Sequence, residues 1–289
     1  GLPPDAEEVG DGWRQWPLGQ FIADHGRDHF EESVAAMIQL TQRFSAEFAV
    51  RPFVDRYPAA TFRKLLSLTG HPSAHVRRWC SEGTRPRLPW GCKLRDLAAD
   101  PGPIWPLLER LKDDPELYVR RSVANNLNDI AKDHPELVVK RCRSWSKKSN
   151  PNRDWLIRHA LRSLIKAGSP GALAIVGFRA PQQVAAKLSV DRAKISVGES
   201  VTLKAAVGTA AATSQRLVID YALHYVRKTG TSVKVFKWTT LELPARGRVA
   251  LEKRHGMKLT TIRALYPGVH KVEIQINGVR CAESSFRLR

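Results

Sequence analysis

The sequence predicts a multidomain α-then-β chain: a HEAT-like α-helical solenoid over residues 1–182, then a C-terminal immunoglobulin-like β-sandwich over residues 183–289. Three observations carry this expectation. The hydrophobic period changes from helical to alternating near Lys187. A proline-led helical segment recurs three times in the first part. The 289 residues, at roughly 100–200 per domain, are enough for two hydrophobic cores.

In the first part, Phe30, Val34, Met37, Ile38, Thr41 and Phe44 keep the spacing of one helix face. Phe62, Leu65, Leu66 and Thr69 do the same before Gly70 ends that helix. The segment His71-Pro72-Ser73-Ala74-His75-Val76-Arg77-Arg78 then matches Asp114-Pro115-Glu116-Leu117-Tyr118-Val119-Arg120-Arg121. A looser third copy runs from Asn150-Pro151 to Arg158. In each, a proline opens a helix, an apolar residue follows four later, and a basic residue comes soon after. The proline spacings, 72→115 and 115→151, are 43 and 36 residues, the range of HEAT- and armadillo-type helix pairs. Stacked pairs give one concave face. An arginine recurring at one repeat position is expected to lay a basic track along it.

After the linker Arg179–Ala186 the period is two. Val201, Leu203, Ala205 and Val207 alternate with polar partners, as do Leu217, Ile219, Tyr221, Leu223 and Tyr225. His270, Val272, Ile274 and Ile276 lead to Asn277-Gly278, a strong hairpin signal. Seven or eight short strands in this length suit a sandwich, without the paired cysteines of antibody domains, since Cys281 is alone there.

Charge narrows the function classes. The net charge is +19, with residues 1–58 at 5 basic and 10 acidic, residues 59–182 at 23 and 11, and residues 183–289 at 19 and 7. An acidic opening followed by two basic bodies suits a polyanion, and nucleic acid leads because each neutralised phosphate releases counterions. The longest apolar stretch, Gly171–Phe178, is far short of the ~20 residues that cross a bilayer. No secretory h-region opens the chain, and four scattered cysteines do not make a disulfide framework. The expectation is a soluble, monomeric protein of the bacterial cytoplasm, at the nucleoid, with no membrane partner. The chain begins with Gly1 rather than Met, as expected of a processed or trimmed one.

Phosphate-binding loops, dinucleotide fingerprints and esterase elbows are absent from the sequence. His25/His29 and His71/His75 have the spacing of a metal pair, but Gly26 and Pro72 interrupt a helix there, so no metal or other cofactor is expected. Two segments offer chemistry instead. In the first, Trp79 and Glu82 are neighbours on a helix, and Gly83, Pro86 and Pro89 turn Arg85, Arg87 and Trp90 out as a rigid basic loop. In the second, Trp155 and Arg158 share a helix face beside Asp154. Purely structural roles stay open: Trp79 as core, Glu82 paired with Arg78 at the surface for about 0–1 kcal/mol, and Asp154 paired with Arg158.

At these residues the chain resembles the HEAT-like-repeat alkylpurine DNA glycosylases, and within them the AlkC branch. The run Ser81-Glu82-Gly83-Thr84-Arg85-Pro86-Arg87-Leu88-Pro89-Trp90 carries the likeness, within a repeat region of about 62–178. The appended immunoglobulin-like body is expected of this branch and not of its AlkD relatives. In the AlkD branch a Trp and an Asp on one helix and a Trp-x-x-Arg on a later one make the site. Trp79 and Glu82 resemble the first pair, with Glu for Asp and the spacing shortened by one; Trp155 and Arg158 match the second.

The resemblance therefore implies Glu82, Asp154, Trp79 and Trp155 as catalytic residues, and Arg78, Arg85, Arg87, Trp90, Arg120, Arg121 and Arg158 as contacts to double-stranded DNA. It implies excision of N-alkylated bases, 3-methyladenine and 3-methylcytosine, in base excision repair, by approach from the backbone side rather than by base flipping. A cationic base needs no general acid, so a carboxylate that stabilises the sugar cation suffices. The alternative is a non-catalytic HEAT-repeat scaffold that binds nucleic acid by charge, which leaves the Trp and carboxylate set idle. A nuclease ranks last, because no cluster of metal-binding carboxylates is visible.

Overall fold

The computed structural model describes residues 13–148, 150–259 and 264–289, and the chain divides into two compact units between Arg162 and Ser163. In the first, a 3-10 turn (Trp13–Gln15) leads into α1 (Trp16–His25), α2 (Phe30–Thr41), α3 (Arg51–Arg56), α4 (Pro58–Ser67) and α5 (Ala74–Glu82). Then come α6 (Arg95–Ala99), α7 (Trp105–Leu111), α8 (Leu117–Ile130), α9 (Pro135–Ser146) and α10 (Pro151–Ala160). Proline occupies the first or second position of α1, α3, α4, α7, α9 and α10, where its missing N–H costs nothing because those donors have no intrahelical acceptor.

Helix α8 packs against α5 on one side and α10 on the other. Val76, Trp79 and Cys80 of α5, Val119, Val123 and Leu127 of α8, and Leu156 and Ile157 of α10 are buried. Polar ties hold the three together: Ser81 Oγ lies 2.6 Å from Ser122 Oγ, Asn126 Nδ2 donates to the Ser81 carbonyl at 2.8 Å, and Asn128 Nδ2 to the Ala160 carbonyl at 2.9 Å.

Two of the recurring arginines, Arg77 and Arg120, do not join the expected basic track. Arg77 Nη1 folds back onto the carbonyls of His71 and Pro72 at 2.9 and 2.8 Å. Arg120 Nη1 does the same to Asp114 and Pro115 at 2.6 and 2.7 Å. In the third copy the basic residue after the apolar one, Arg158, is exposed, and it is Arg153, two residues after Pro151, whose Nη1 donates to the Lys148 carbonyl at 2.7 Å. Arg77 also grips the Asp114 carboxylate with Nε and Nη2, at 2.6 and 3.1 Å, and so staples one repeat to the next. Arg77 and Arg120 therefore tie down the loops that enter their helices. Arg120, expected on DNA, is buried in that task.

The second unit opens with helical turns. α11 (Arg162–Lys166) starts at the division and α12 (Pro170–Ile175) follows. Leu173 and Phe178 pack with Val218 of the sheet, which is why the compact units part at Arg162/Ser163 rather than at the expected 182/183. The strands are β1 (Val184–Val190), β2 (Lys194–Ile195), β3 (Ser200–Thr209), β4 (Gln215–Val226), β5 (Thr231–Leu243), β6 (Arg248–Gly256), β7 (Gly268–Ile276) and β8 (Val279–Leu288). They form a three-stranded sheet β1-β3-β6 and a five-stranded sheet β2-β8-β7-β4-β5. The alternating residues behave as expected: Val201, Leu203, Tyr221, Leu223, Val272 and Phe286 share one buried cluster, and Val207, Leu217, Ile219, Ile274 and Ile276 a second. Asn277 (φ 44°) and Gly278 (φ 83°) are both left-handed and close the β7–β8 hairpin, as their pairing requires. No helix among the described residues is long and apolar enough to cross a membrane.

Candidate active site and nucleic-acid interface

Glu82 is the last residue of α5 and is buried. Its Oε1 accepts from Arg85 Nη1 at 2.7 Å and lies 3.5 Å from Arg78 Nη2. Each guanidinium has a second carboxylate: Arg78 reaches Glu47 at 2.7 Å, and Arg85 reaches Asp129 at 2.8 Å. Burial works against both cations, but Glu82 with Glu47, and Glu82 with Asp129, more than offset it and hold Arg78 and Arg85 above the usual arginine range. The expectation of an exposed Glu82 with a surface partner is thus corrected. The carboxylate sits inside an alternating row of charges.

That row exists because the chain after α5 is held in, not turned out. Val50 Cγ1 lies where a side chain on Gly83 would begin, 2.5 Å from its ideal Cβ, so residue 83 must be glycine for close packing. Arg51, buried in α3, then clamps the following loop by its carbonyls: Nη1 donates to Gly83 at 3.0 Å and Arg85 at 2.9 Å, and Nε to Cys92 at 2.9 Å. Nothing in the sequence pattern marks Arg51. Its role comes from a contact more than thirty residues away in the chain. Arg85, expected on a projecting loop, is consequently buried between Glu82 and Asp129. Only Arg87, Pro89 and Trp90 reach the surface, with Arg87 paired to Asp133 through two bonds of 2.9 and 2.6 Å. Trp90 is 87% exposed at φ 63°, a left-handed conformation that costs a bulky residue about 1–3 kcal/mol.

Trp79 takes no part in this surface. It is fully buried, with its indole N–H donating to the Ala46 carbonyl at 3.0 Å, so it cannot touch a substrate. The catalytic expectation for Trp79 is corrected to a core role.

On the other flank of α8, Trp155 of α10 is half-buried and stacks on His159, ring centroids 5.0 Å apart and planes within 10°. Burial and the charges of Arg162 and Arg121 push the His159 imidazole below its ordinary range, so the ring behind Trp155 is neutral near pH 7. Arg162 is anchored on Asn125 Oδ1 at 3.0 Å. Asp154, Arg158 and Arg121 are exposed. Glu82 and Asp154 therefore belong to the two helices that flank α8.

A cleft of about 220 Å³ opens beside Glu82 and Arg85. Its walls are Trp13 and Trp16, stacked at 5.3 Å, and Phe44 and Phe48, whose rings lie 6.0 and 4.9 Å from Trp16; the sequence placed Phe44 on a helix face and assigned none of the four to a site. Trp90 stands on its rim. No periodicity joins these aromatics; three separate segments bring them together. Among the described residues no group of three or more His, Cys, Asp or Glu could hold a metal.

Residues 184–289 match the family described as "Uncharacterised protein YhaZ, C-terminal Ig-like domain". The chain is 38% identical over 260 residues to the uncharacterized protein YhaZ of Bacillus subtilis (strain 168), covering 89% of this chain and 72% of that one. It is similar to the structure of the Pseudomonas fluorescens alkylpurine DNA glycosylase AlkC bound to DNA containing an abasic site analogue. The TM-score is 0.91 and the identity 40%, over 96% of this chain and 78% of that one.

Proposed function

The chain belongs to the AlkC family of alkylpurine DNA glycosylases, and from that premise we propose that it hydrolyses the N-glycosidic bond of cationic alkylated bases in double-stranded DNA. The substrates in this reading are 3-methyladenine and 3-methylcytosine, and the setting is base excision repair by a monomer at the nucleoid of the bacterial cytoplasm. The observation that carries it is Glu82: a buried carboxylate at the side of an open cleft in a chain of net charge +19.

The lesion base is already a cation. When the bond from C1′ to the base nitrogen breaks, its electron pair goes to the base, which leaves neutral, and the positive charge stays on the sugar as an oxocarbenium ion. In this reading Glu82 stabilises that charge and orients the water that adds to C1′ and releases its proton to solvent. At 4 Å and an effective dielectric of 20 the attraction is about 4 kcal/mol, close to three powers of ten in rate. The indole face of Trp155 supplies a cation–π contact of about 0.5–2 kcal/mol, held in place by the neutral His159 behind it. Asp154 is the second carboxylate of this reading. Exposed Arg121 and Arg158 meet phosphates, while Arg78 and Arg85 act by fixing Glu82.

One observation favours a rival role. Glu82 already has two cationic partners, as a purely structural ion-pair residue would. Incubation with methylated duplex in EDTA separates the two: the glycosylase releases methylated base and leaves abasic sites without metal. No release would return the chain to a non-catalytic DNA-binding scaffold.

A further inference from the structure

We infer that the cleft beside Glu82 seats a planar alkylated nucleobase, with Trp16 and Trp90 as its stacking faces. This rests on the glycosylase reading and names the base subsite for it.

The lining is aromatic and acidic together. Trp13, Trp16, Phe44 and Phe48 form the walls, and the charged side chains are Glu47, Glu82 and Arg85, two negative and one positive. Arg78, which lies on both carboxylates, brings the local charge to zero, so in a chain of +19 this concave surface carries no excess cation to hold a phosphate. Aromatic faces around a carboxylate are how proteins recognise methylated cations, because the ring quadrupole and the anion act in the same direction. The volume of about 220 Å³ lies below the ~300–1,000 Å³ of pockets that enclose drug-sized ligands, so it suits a single ring system rather than a nucleotide.

Core packing explains Trp16, which touches Phe44 and Phe48, but it does not explain Trp90. That indole is 87% exposed on a left-handed backbone at the rim, an arrangement that gains nothing from packing and offers a free face to a ligand. The same chemistry serves a base still joined to its sugar, which is cationic, or the released base, which is neutral. A joined base lodged there has left the stack, whereas a released base fits the backbone-side approach that the resemblance implies.

Two small molecules tell these apart without DNA or turnover. 3,9-Dimethyladeninium carries a methyl in place of the sugar and keeps the charge of the joined base; 3-methyladenine is the released base. Titrated into the full chain at pH 8 with tryptophan fluorescence as the readout, at least one gives a saturable quench. A preference for the cation identifies the joined base, and a preference for 3-methyladenine the released one. Trp16→Ala weakens the preferred ligand about tenfold or more. Trp90→Ala, at an exposed position where the fold is not at stake, weakens it at least threefold, and Trp16→Phe restores most of the affinity lost in Trp16→Ala. No saturable quench by either molecule, or affinities unchanged in Trp90→Ala, would overturn the subsite. A chain that binds these bases but releases none from DNA would sink the glycosylase reading and leave the cleft standing.

Discussion

Replacing Arg120 with Ala removes two bonds to the entry loop of α8, whereas replacing Arg121 removes an exposed cation. Bonds from a charged donor contribute about 1.5–3 kcal/mol each at most, so Arg120→Ala should lower stability by about 1–3 kcal/mol. Duplex affinity at fixed salt should not change. Arg121→Ala should leave the melting temperature alone and weaken duplex binding several-fold, with a shallower salt dependence. Equal effects on binding would contradict the division of labour between these neighbours. The sequence showed both arginines and could not separate them, because position along a repeat does not say which way a guanidinium folds. Asp220 is a second residue with a defined test. Burial pushes its carboxyl up to about 6, against the pull of Lys237 and Lys166. A raised acid keeps its proton longer in the folded chain, so its cost to stability is absent below about pH 4 and complete above about pH 6. Asp220→Asn should therefore raise the melting temperature more at pH 8 than at pH 4, by an amount worth about 1–3 kcal/mol. An equal shift at both values would contradict the burial argument.

Among the elements, the strands were the most legible, since Leu217, Ile219, Tyr221, Leu223 and Tyr225 all lie buried where the alternation put them. The turn after α5 was the least. Its prolines suggested a projecting loop, but Gly83 against Val50 and the Arg51 clamp draw it inward, and neither contact is local in sequence. The sheet β1-β3-β6 carries a further expectation. On its outward face small residues, Ala185, Ala206, Gly208 and Ala250, lie in register among exposed Lys187, Lys204, Arg248 and Arg254. Flat backbone with long cations around it suits a phosphate backbone. Since each neutralised phosphate contributes about 0.9 to the slope of log affinity against log salt, changing all four to Ser should flatten that slope by up to about 3.6. An unchanged slope would remove this face from the DNA interface.

For the whole molecule, charge pointed to a polyanionic partner and the repeat to the helical architecture, while the candidate site was only partly visible. Glu82 and Trp155 are candidates by residue type and spacing, Trp79 is core, and the aromatic cleft draws on three separate segments. The central claim is that the Glu82 carboxylate does chemistry and does not merely hold Arg78 and Arg85. Glu82→Gln keeps its shape and hydrogen bonding, and Arg78 and Arg85 retain Glu47 and Asp129, so the loss of stability should stay within about 1–3 kcal/mol. The deciding measurement is single-turnover release of 3-methyladenine from methylated duplex in EDTA, well below the melting temperature, for the native chain, Glu82→Gln and Asp154→Asn. Release by Glu82→Gln should fall by about two to three powers of ten with duplex affinity steady or slightly improved. Comparable damage from Asp154→Asn would make the site a pair of carboxylates, and normal release there would leave Asp154 a helix-start residue. Near-normal release by a folded Glu82→Gln chain would contradict the account.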